Sequence, residues 1–341
     1  MSKTTQRIWI FLSIFCLIGL SGIGFGYYSL LYPNVTVKDG GIIFVRDSAS
    51  ITEVLDTLRS RGYIETPSTL LRTARLKKSK IKAGRYRLRD GMNNNELINM
   101  LRSGNQSPVQ FTFNNIRTLE EFSEMASRQL ELSSEELLSY IQNPDTIVPF
   151  GFTPATVIGM FIPNTYEIYW NISTSDFLKR MYKEYERFWN KQRMEKAEAM
   201  GLSPIEVITL ASIIEEETVK PEEYPVIAGV YLNRLKRGIK LDACPTLKFA
   251  LGDFTITRIL DRYLEIDSPY NTYKYAGLPP GPIRIPSIQG LESVLNYAHH
   301  NYIYMCAKED FSGTHNFAAT LSQHMANARR YQQELNRRKI K

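Results

Sequence analysis

Histidine and cysteine are scarce in this chain, four and three among 341 residues, and what they fail to form narrows the chemistry. None of His299, His300, His315 and His324 stands in a zinc-type spacing such as His-Glu-x-x-His, and all four lie late in the chain, away from its most acidic stretch. A metal-dependent hydrolase is therefore disfavoured, and neither a metal ion nor a cofactor is expected. Three cysteines do not make a disulfide framework. Cys16 lies in an apolar run, which leaves Cys244 and Cys306 as the one pair that an oxidising compartment could join. Two free, buried thiols are the expectation. Internal repeats and low-complexity tracts are absent. Acidic residues are outnumbered, 35 against 42 Lys and Arg, for a net charge of +7. Such a balance suits an acidic surface, anionic lipid or an anionic wall polymer; the basic residues are spread along the chain, and nucleic acid is not an expected partner.

Charge is missing altogether from residues 8–32, IWIFLSIFCLIGLSGIGFGYYSLLY. At about 1.5 Å per helical residue this run is long enough to cross a hydrocarbon core of about 30 Å. Lys3 and Arg7 precede it, so the positive-inside rule leaves residues 1–7 as a short cytoplasmic tail, makes 8–32 a single-pass anchor in the cell (inner) membrane, and exports the rest. A cleaved signal peptide is the alternative, but the run is long for one and lacks an Ala-x-Ala-like site. Tyr27, Tyr28 and Tyr32 suit the outer interface as an aromatic belt.

The exported part reads as α+β in two domains. Residues 35–107 form a small α+β unit: VTV and GIIFVRD as strands, a helix through Ile51, Val54, Leu55 and Leu58 closed by Gly62, a helix over about 67–77, AGRYRLRDG as a strand, and a helix through Leu97, Ile98 and Leu101 ending at Gly104. Such alternation suits a binding module better than an enzyme. SGNQSP, 103–108, is the expected junction. Residues 108–341 are mostly helical with turn-rich interruptions. Ser133 and Glu136 spell a capping box, a long helix is expected from about Ser175 to Met200 with Phe177, Met181, Tyr185, Phe188 and Trp189 near one core-facing side, and another from about Glu222 to Lys236. Long Pro- and Gly-rich loops follow, notably SPYNTYKYAGLPPGPIRIPS, 268–287, of a kind that is often functional.

Chemistry concentrates in LASIIEEETVKP, 210–221. Ser203, Pro204 and Glu206 make an N-terminal capping box, and Pro221 stops the helix. Val207, Leu210, Ile213, Ile214 and Glu217 recur at three- and four-residue steps, so Glu217 continues the apolar face while Glu215 and Glu216 point elsewhere. Desolvation, the negative end of the helix dipole and two anionic neighbours would each favour the protonated form of Glu217, as a general acid requires. A solvated acidic helix end is the competing reading.

The set ASIIEEET (211–218), GVYLNRLKRGIKLDACPT (229–246), SPYNTY (268–273), GLPPGPI (277–283) and HNF (315–317) with His324 resembles the MltG/YceG-like endolytic murein transglycosylases, over about residues 35–335. IPNTYEI, 162–168, is similar to that family's Phe-Pro-Asp-Thr-Tyr segment, with Asn164 in place of the acid, and KAGRYRL, 82–88, resembles part of its LysM-like subdomain. The resemblance implies a YceG-like catalytic domain over 108–341 after a LysM-like subdomain over 35–107, with Glu217 as the catalytic acid. It further implies cleavage of the β-1,4 bond between N-acetylmuramic acid and N-acetylglucosamine inside glycan strands, with a 1,6-anhydro-muramyl product. The partners implied are peptidoglycan strands and the membrane, with peptidoglycan synthases as candidates.

One acid suffices for such a transfer, because the sugar's own C6 hydroxyl replaces an external nucleophile. Either the substrate's N-acetyl group or Glu215 could stabilise the oxocarbenium-like charge. Asn233, Tyr270, Asn271 and Tyr273 are the candidates for holding sugar hydroxyls and acetamido groups, and buried structural hydrogen bonds are their alternative role. Arg234 is either a stem-carboxylate binder or one half of an ion pair. Cys244 stands where the family commonly has an aspartate: if that acid lines the cleft, Cys244 cannot replace its charge at neutral pH, and if it caps a turn little is lost. A non-catalytic wall-binding scaffold for synthesis enzymes is the rival that these residues leave open.

Overall fold

The structure, a computed structural model, describes residues 3–38, 40–256 and 259–339; the start of the tail expected over 1–7 lies outside them. Among the described residues the chain is mostly helical with three small two-stranded sheets, and it divides into two units. The first runs to Phe111 and takes back Gln129–Glu131 and Tyr166–Ile172.

In the first unit α1 (Lys3–Leu31) is followed by β1 (Ile42–Val45), α2 (Ile51–Ser60), α3 (Pro67–Leu76), β2 (Gly84–Arg87) and α4 (Asn94–Ser103). β1 and β2 are antiparallel, with Ile42 opposite Arg87 and Val45 opposite Gly84. That register turns Ile43, Val45 and Tyr86 into the core beside Leu58, Leu70, Leu97 and Leu101. Ser50 caps α2 by accepting from Glu53 N, and Gly104 closes α4 in the left-handed region at φ 73°. The VTV stretch does not make the expected strand. Asn34 and Val35 both donate to the carbonyl of Met92, so the ladder stops at isolated bridges, Pro33 with Asn93 and Val35 with Ile64. The last turn of α1 is tied into this unit: Ser29 is buried, and its carbonyl accepts from Thr73 Oγ1 of α3 at 3.1 Å and from Asn94 Nδ2 of α4 at 2.7 Å.

Next come β3 (Val109–Thr112), α5 (Leu119–Gln129), α6 (Ser134–Gln142), the short α7 (Pro144–Ile147) and β4 (Thr165–Ile168), which pairs with β3. Only half of the capping box expected at α6 forms. Ser133 accepts from Glu136 N, but the Glu136 carboxylate accepts from Thr174 Oγ1 at 2.8 Å instead of reaching back. The single long helix expected from about 175 to 200 is two, α8 (Thr174–Phe188) and α9 (Lys191–Met200). Asn190 is the reason: it turns extended (φ −67°, ψ 169°) and caps α9 by accepting from Arg193 N. Phe177, Met181, Phe188 and Trp189 are buried, as the aromatic stripe required.

α10 (Pro204–Glu217) opens with the full capping box, Ser203 Oγ accepting from Glu206 N while the Glu206 carboxylate accepts from Ser203 N at 2.7 Å. Every residue from Val207 to Ile214 is buried, so α10 is not the one-faced surface helix that its periodicity suggested. It is the core helix of the second unit, packed by α9 and by α11 (Tyr224–Lys236), α12 (Cys244–Leu251) and α14 (Ile288–Leu295), with the short α13 (Asp261–Leu264) in the loop between the last two. Each such Leu or Ile contributes roughly 1.5–3 kcal/mol by leaving water. The hairpin of β5 (Tyr304–Ala307) and β6 (His315–Ala318) carries α15 (Leu321–Arg337). The GLPPGPI loop is pinned to α10 by Ile283 N donating to the buried Ser212 Oγ at 3.0 Å. Within that loop Gly281 lies so close to the Ala155 carbonyl that a Cβ would strike backbone, which fixes glycine there.

Candidate active site

α10 ends at its last acid, Glu217, because Thr218 turns extended at φ −143°, ψ 144°. Pro221 is therefore not the stop. It opens a 3-10 turn, Pro221–Glu223, that leads into α11, which starts at Tyr224 and not at Glu222 as expected. Glu223 braces this corner: its carboxylate accepts from Thr218 Oγ1 at 3.2 Å, from His315 N at 2.7 Å and from His315 Nδ1 at 3.0 Å. The result is a fixed junction between the end of α10, the start of α11 and β6.

At that junction Glu217 is half-buried, and its Oε1 accepts from Tyr231 Oη of α11 at 2.8 Å. It borders a cavity of about 260 Å³ whose other walls include Tyr231, Arg234, Asp242, Cys244 and Tyr273, with Cys306 and His315 from the hairpin. Burial raises the Glu217 pKa above the ordinary 4.5; the Tyr231 hydrogen bond and the charges of His315, Lys248 and Arg234 pull the other way. Of the three causes expected from sequence, the anionic neighbours are not at work. Glu215 and Glu216 do point elsewhere, but they are neutralised: Glu216 accepts from Arg284 Nη1 at 2.6 Å and from Arg117 at 3.1 Å, and Glu215 lies 3.8 Å from Arg284. Desolvation carries the shift.

The other groups around the cavity are held neutral or engaged. Burial pushes the Tyr231 phenol well up, aided by Glu217, and also raises Tyr273. Cys244 Sγ lies 3.1 Å from Tyr273 Oη, and burial pushes its thiol up. Cys244 and Cys306 are free, but they face the cavity and are not the core thiols expected. Arg234 donates to the carbonyls of Ile303, Lys240 and Leu241 and to Asp242 Oδ2, all between 2.6 and 2.9 Å, which makes it the ion-pair half of the two readings.

Of the residues put forward from sequence, Glu217 and Tyr273 meet at this cavity, and Asn233, Tyr270, Asn271 and Glu215 do not line it. Asn233 Nδ2 donates to the carbonyls of His300 and Tyr302, and Asn271 Nδ2 to those of Leu264 and Ile266, so both amides hold loops. Tyr270 packs against Phe249 with the rings tilted by 45°, centroids 4.6 Å apart, beside a separate pocket that also includes Arg117 and Pro282. Glu215 accepts from Ser287 N and Ser287 Oγ at the start of α14. Asn164 opens β4 and accepts from Thr165 N. Tyr231 and Asp242 escaped the sequence reading. Tyr231 and Arg234 sit three apart on α11 and so share a face, a signal that could have favoured them over Asn233.

Among the described residues no three His, Cys, Asp or Glu side chains converge as metal ligands. His300 engages the Val226 carbonyl, His315 Glu223, and His324 stacks on Tyr304. A desolvated acid with a raised pKa, opening on a cavity at the end of a core helix, is the arrangement of a general acid–base site. The chain belongs to the YceG-like family, whose description matches residues 43–330. It is 28% identical over 299 residues to an endolytic murein transglycosylase of Bacillus subtilis (strain 168), covering 83% of this chain and 82% of that protein. To the endolytic murein transglycosylase of Streptococcus pneumoniae serotype 2 (strain D39) it is 25% identical over 329 residues, 87% of this chain and 60% of that one. The crystal structure of a yceG-like protein of Listeria monocytogenes superposes with a TM-score of 0.56 at 25% identity, over 85% of this chain and 99% of that one.

Proposed function

We propose that this chain is a peptidoglycan lytic transglycosylase that cuts the β-1,4 bond between N-acetylmuramic acid and N-acetylglucosamine within glycan strands, with Glu217 as its single acid and base. The observation that carries the reading is Glu217 itself: desolvated, hydrogen-bonded by Tyr231, and facing a cavity. In the first half of the cycle the Glu217 proton passes to the glycosidic oxygen as the bond from C1 to that oxygen breaks. In the second half the C6 hydroxyl oxygen bonds to C1, and its proton returns to the Glu217 carboxylate. The acid is regenerated, and no water is consumed. Hydrolysing glycosidases instead pair two carboxylates across the bond. Here Asp242 is the other acid at the cavity, and it is salt-bridged to Arg234 at 2.9 Å. Glu215 is occupied by Ser287, which favours the substrate's own acetamido oxygen as stabiliser of the oxocarbenium-like charge.

The same reading makes residues 35–107 a LysM-like module and 108–341 the catalytic domain, with cutting of nascent strands beside the synthases ending their elongation. α1 contains an apolar segment, Thr5–Leu31, long enough to cross a membrane, and as a retained anchor it would hold the site outside the cytoplasm. Incubation of the full chain and its Glu217→Gln variant with uncrosslinked glycan strands, followed by mass spectrometry, is the test. Anhydro-muramyl ends are expected from the first and none from the folded second. No cleavage by either would move the assignment to a wall-binding scaffold.

A further inference from the structure

Residues 66–89 hold nine Lys and Arg and no Asp or Glu, so the basic charge is less evenly spread than the composition suggested. α3 and the turn after it make part of this stretch a surface. Thr69, Leu70, Thr73 and Ala74 face the core, whereas Arg72, Arg75, Lys78 and Lys80 are exposed. Lys77 is turned back onto Asn95 and Asn99 of α4. The flanking acids are engaged elsewhere, Glu65 by Thr36 Oγ1 and Asp90 by Val37 N. Among these cations Leu76 stands out from the fold, 65% exposed.

α1 sets where this surface lies. Its apolar segment has 27 residues, about 40 Å at 1.5 Å per residue, against a hydrocarbon core of about 30 Å. Lipid cannot surround the turn at Ser29, which α3 and α4 bury. The excess length therefore falls at this end, from about Phe25 to Leu31, in the headgroup layer. Tyr28 and Tyr32 stack there at 4.7 Å as an interfacial pair, and Arg72 of α3 holds its guanidinium 4.7 Å over the Phe25 ring. α3 is thus fixed at the depth of the headgroups.

We propose that Arg75, Lys78 and Lys80, with Leu76 between them, form a docking surface for the anionic phospholipid headgroups of the leaflet from which α1 emerges. The cations meet phosphate, Leu76 enters the interface, and the first unit lies against the membrane instead of swinging on a tether. This rests on α1 being a retained anchor. Each basic side chain near an anionic surface gives roughly a fivefold gain in association, so three together give about a hundredfold.

The test is amine-reactive footprinting of the full chain in nanodiscs of phosphatidylcholine alone or with phosphatidylglycerol, read by mass spectrometry with Lys191 as internal reference. Labelling of Lys78 and Lys80 is expected to fall at least fivefold in the anionic discs. The protection should be lost in 0.5 M salt, by the screening expected over about 4 Å, and in an Arg75→Gln/Leu76→Ser variant, whose changes are both on exposed side chains. Equal labelling in the two lipids, with the intact mass showing α1 present, overturns the proposal while leaving the anchor. Protection that appears only when soluble glycan strands are added overturns it in favour of a wall polymer. An intact mass that lacks α1 in membrane-fraction protein removes the anchor reading, and the proposal with it.

Discussion

Removing the Tyr231 hydroxyl should make Glu217 a weaker acid. The buried phenol donates to Oε1 of the half-buried Glu217 over 2.8 Å. A hydrogen bond given to a carboxylate favours its ionised form, so this one opposes the rise caused by burial, and its loss lets the pKa climb further. Hydrogen bonds to charged groups contribute about 1.5–3 kcal/mol, and the loss of this one in Tyr231→Phe therefore favours the protonated form of Glu217 by about that much. Because Glu217 must begin each cycle protonated, activity falls as pH rises through its pKa. The variant should accordingly hold its activity to a higher pH, with a lower plateau because a weaker acid yields its proton less readily. The assay is kcat/KM for release of anhydro-ended fragments, measured from mildly acidic to alkaline pH for both proteins. An alkaline limb that stays in place, or moves down, would refute the coupling of Tyr231 to Glu217.

Three further outcomes are expected. Burial raises Glu217 above its ordinary 4.5, so the native state prefers the protonated form; the resulting stability is full below about pH 4.5 and is lost as pH rises through the raised value. Glu217→Gln should then match the parent in melting temperature at pH 4 and exceed it at pH 8, and a pH-independent difference would sink the burial argument. Arg284, 8% exposed, neutralises Glu216 and approaches Glu215. Because Arg117 and Ser287 still hold those acids, Arg284→Met should cost about 3 kcal/mol, the low end for a broken buried pair; a loss under about 1 kcal/mol in denaturant titration would speak against the cluster's role. Asp242→Asn should retain turnover far above that of Glu217→Gln, and equal losses would mean that two carboxylates share the chemistry.

How much of this was legible in the sequence varied with the kind of signal. Local signals transferred well: the Ser203–Glu206 box and the Gly104 close read directly from residue type and spacing. Periodicity singled out Glu217 but for an incomplete reason, since α10 is buried on every side and not on one. The split of the 175–200 helix turned on Asn190, whose side-chain cap competes with helix continuation, a choice that spacing alone does not reveal. Partners brought from far along the chain were the least visible. Glu216 meets Arg284 and Arg117, and Glu223 meets His315, across separations that no local pattern encodes. Amide and phenol residues in the rich loops looked like sugar binders, yet Asn271 is fully buried and spends both its donors and its acceptor on its own loop. Tyr273 reached the cavity because Cys244 and its loop bring it there.

The central claim is that one desolvated acid drives an intramolecular transfer without water. Digestion of glycan strands by the full chain in water enriched in oxygen-18, with mass analysis of every new end, tests it most directly. Unlabelled 1,6-anhydro-muramyl ends, formed by the parent and absent with Glu217→Gln, are the expected result. Reducing ends carrying one heavy oxygen would contradict it and make the protein a hydrolase.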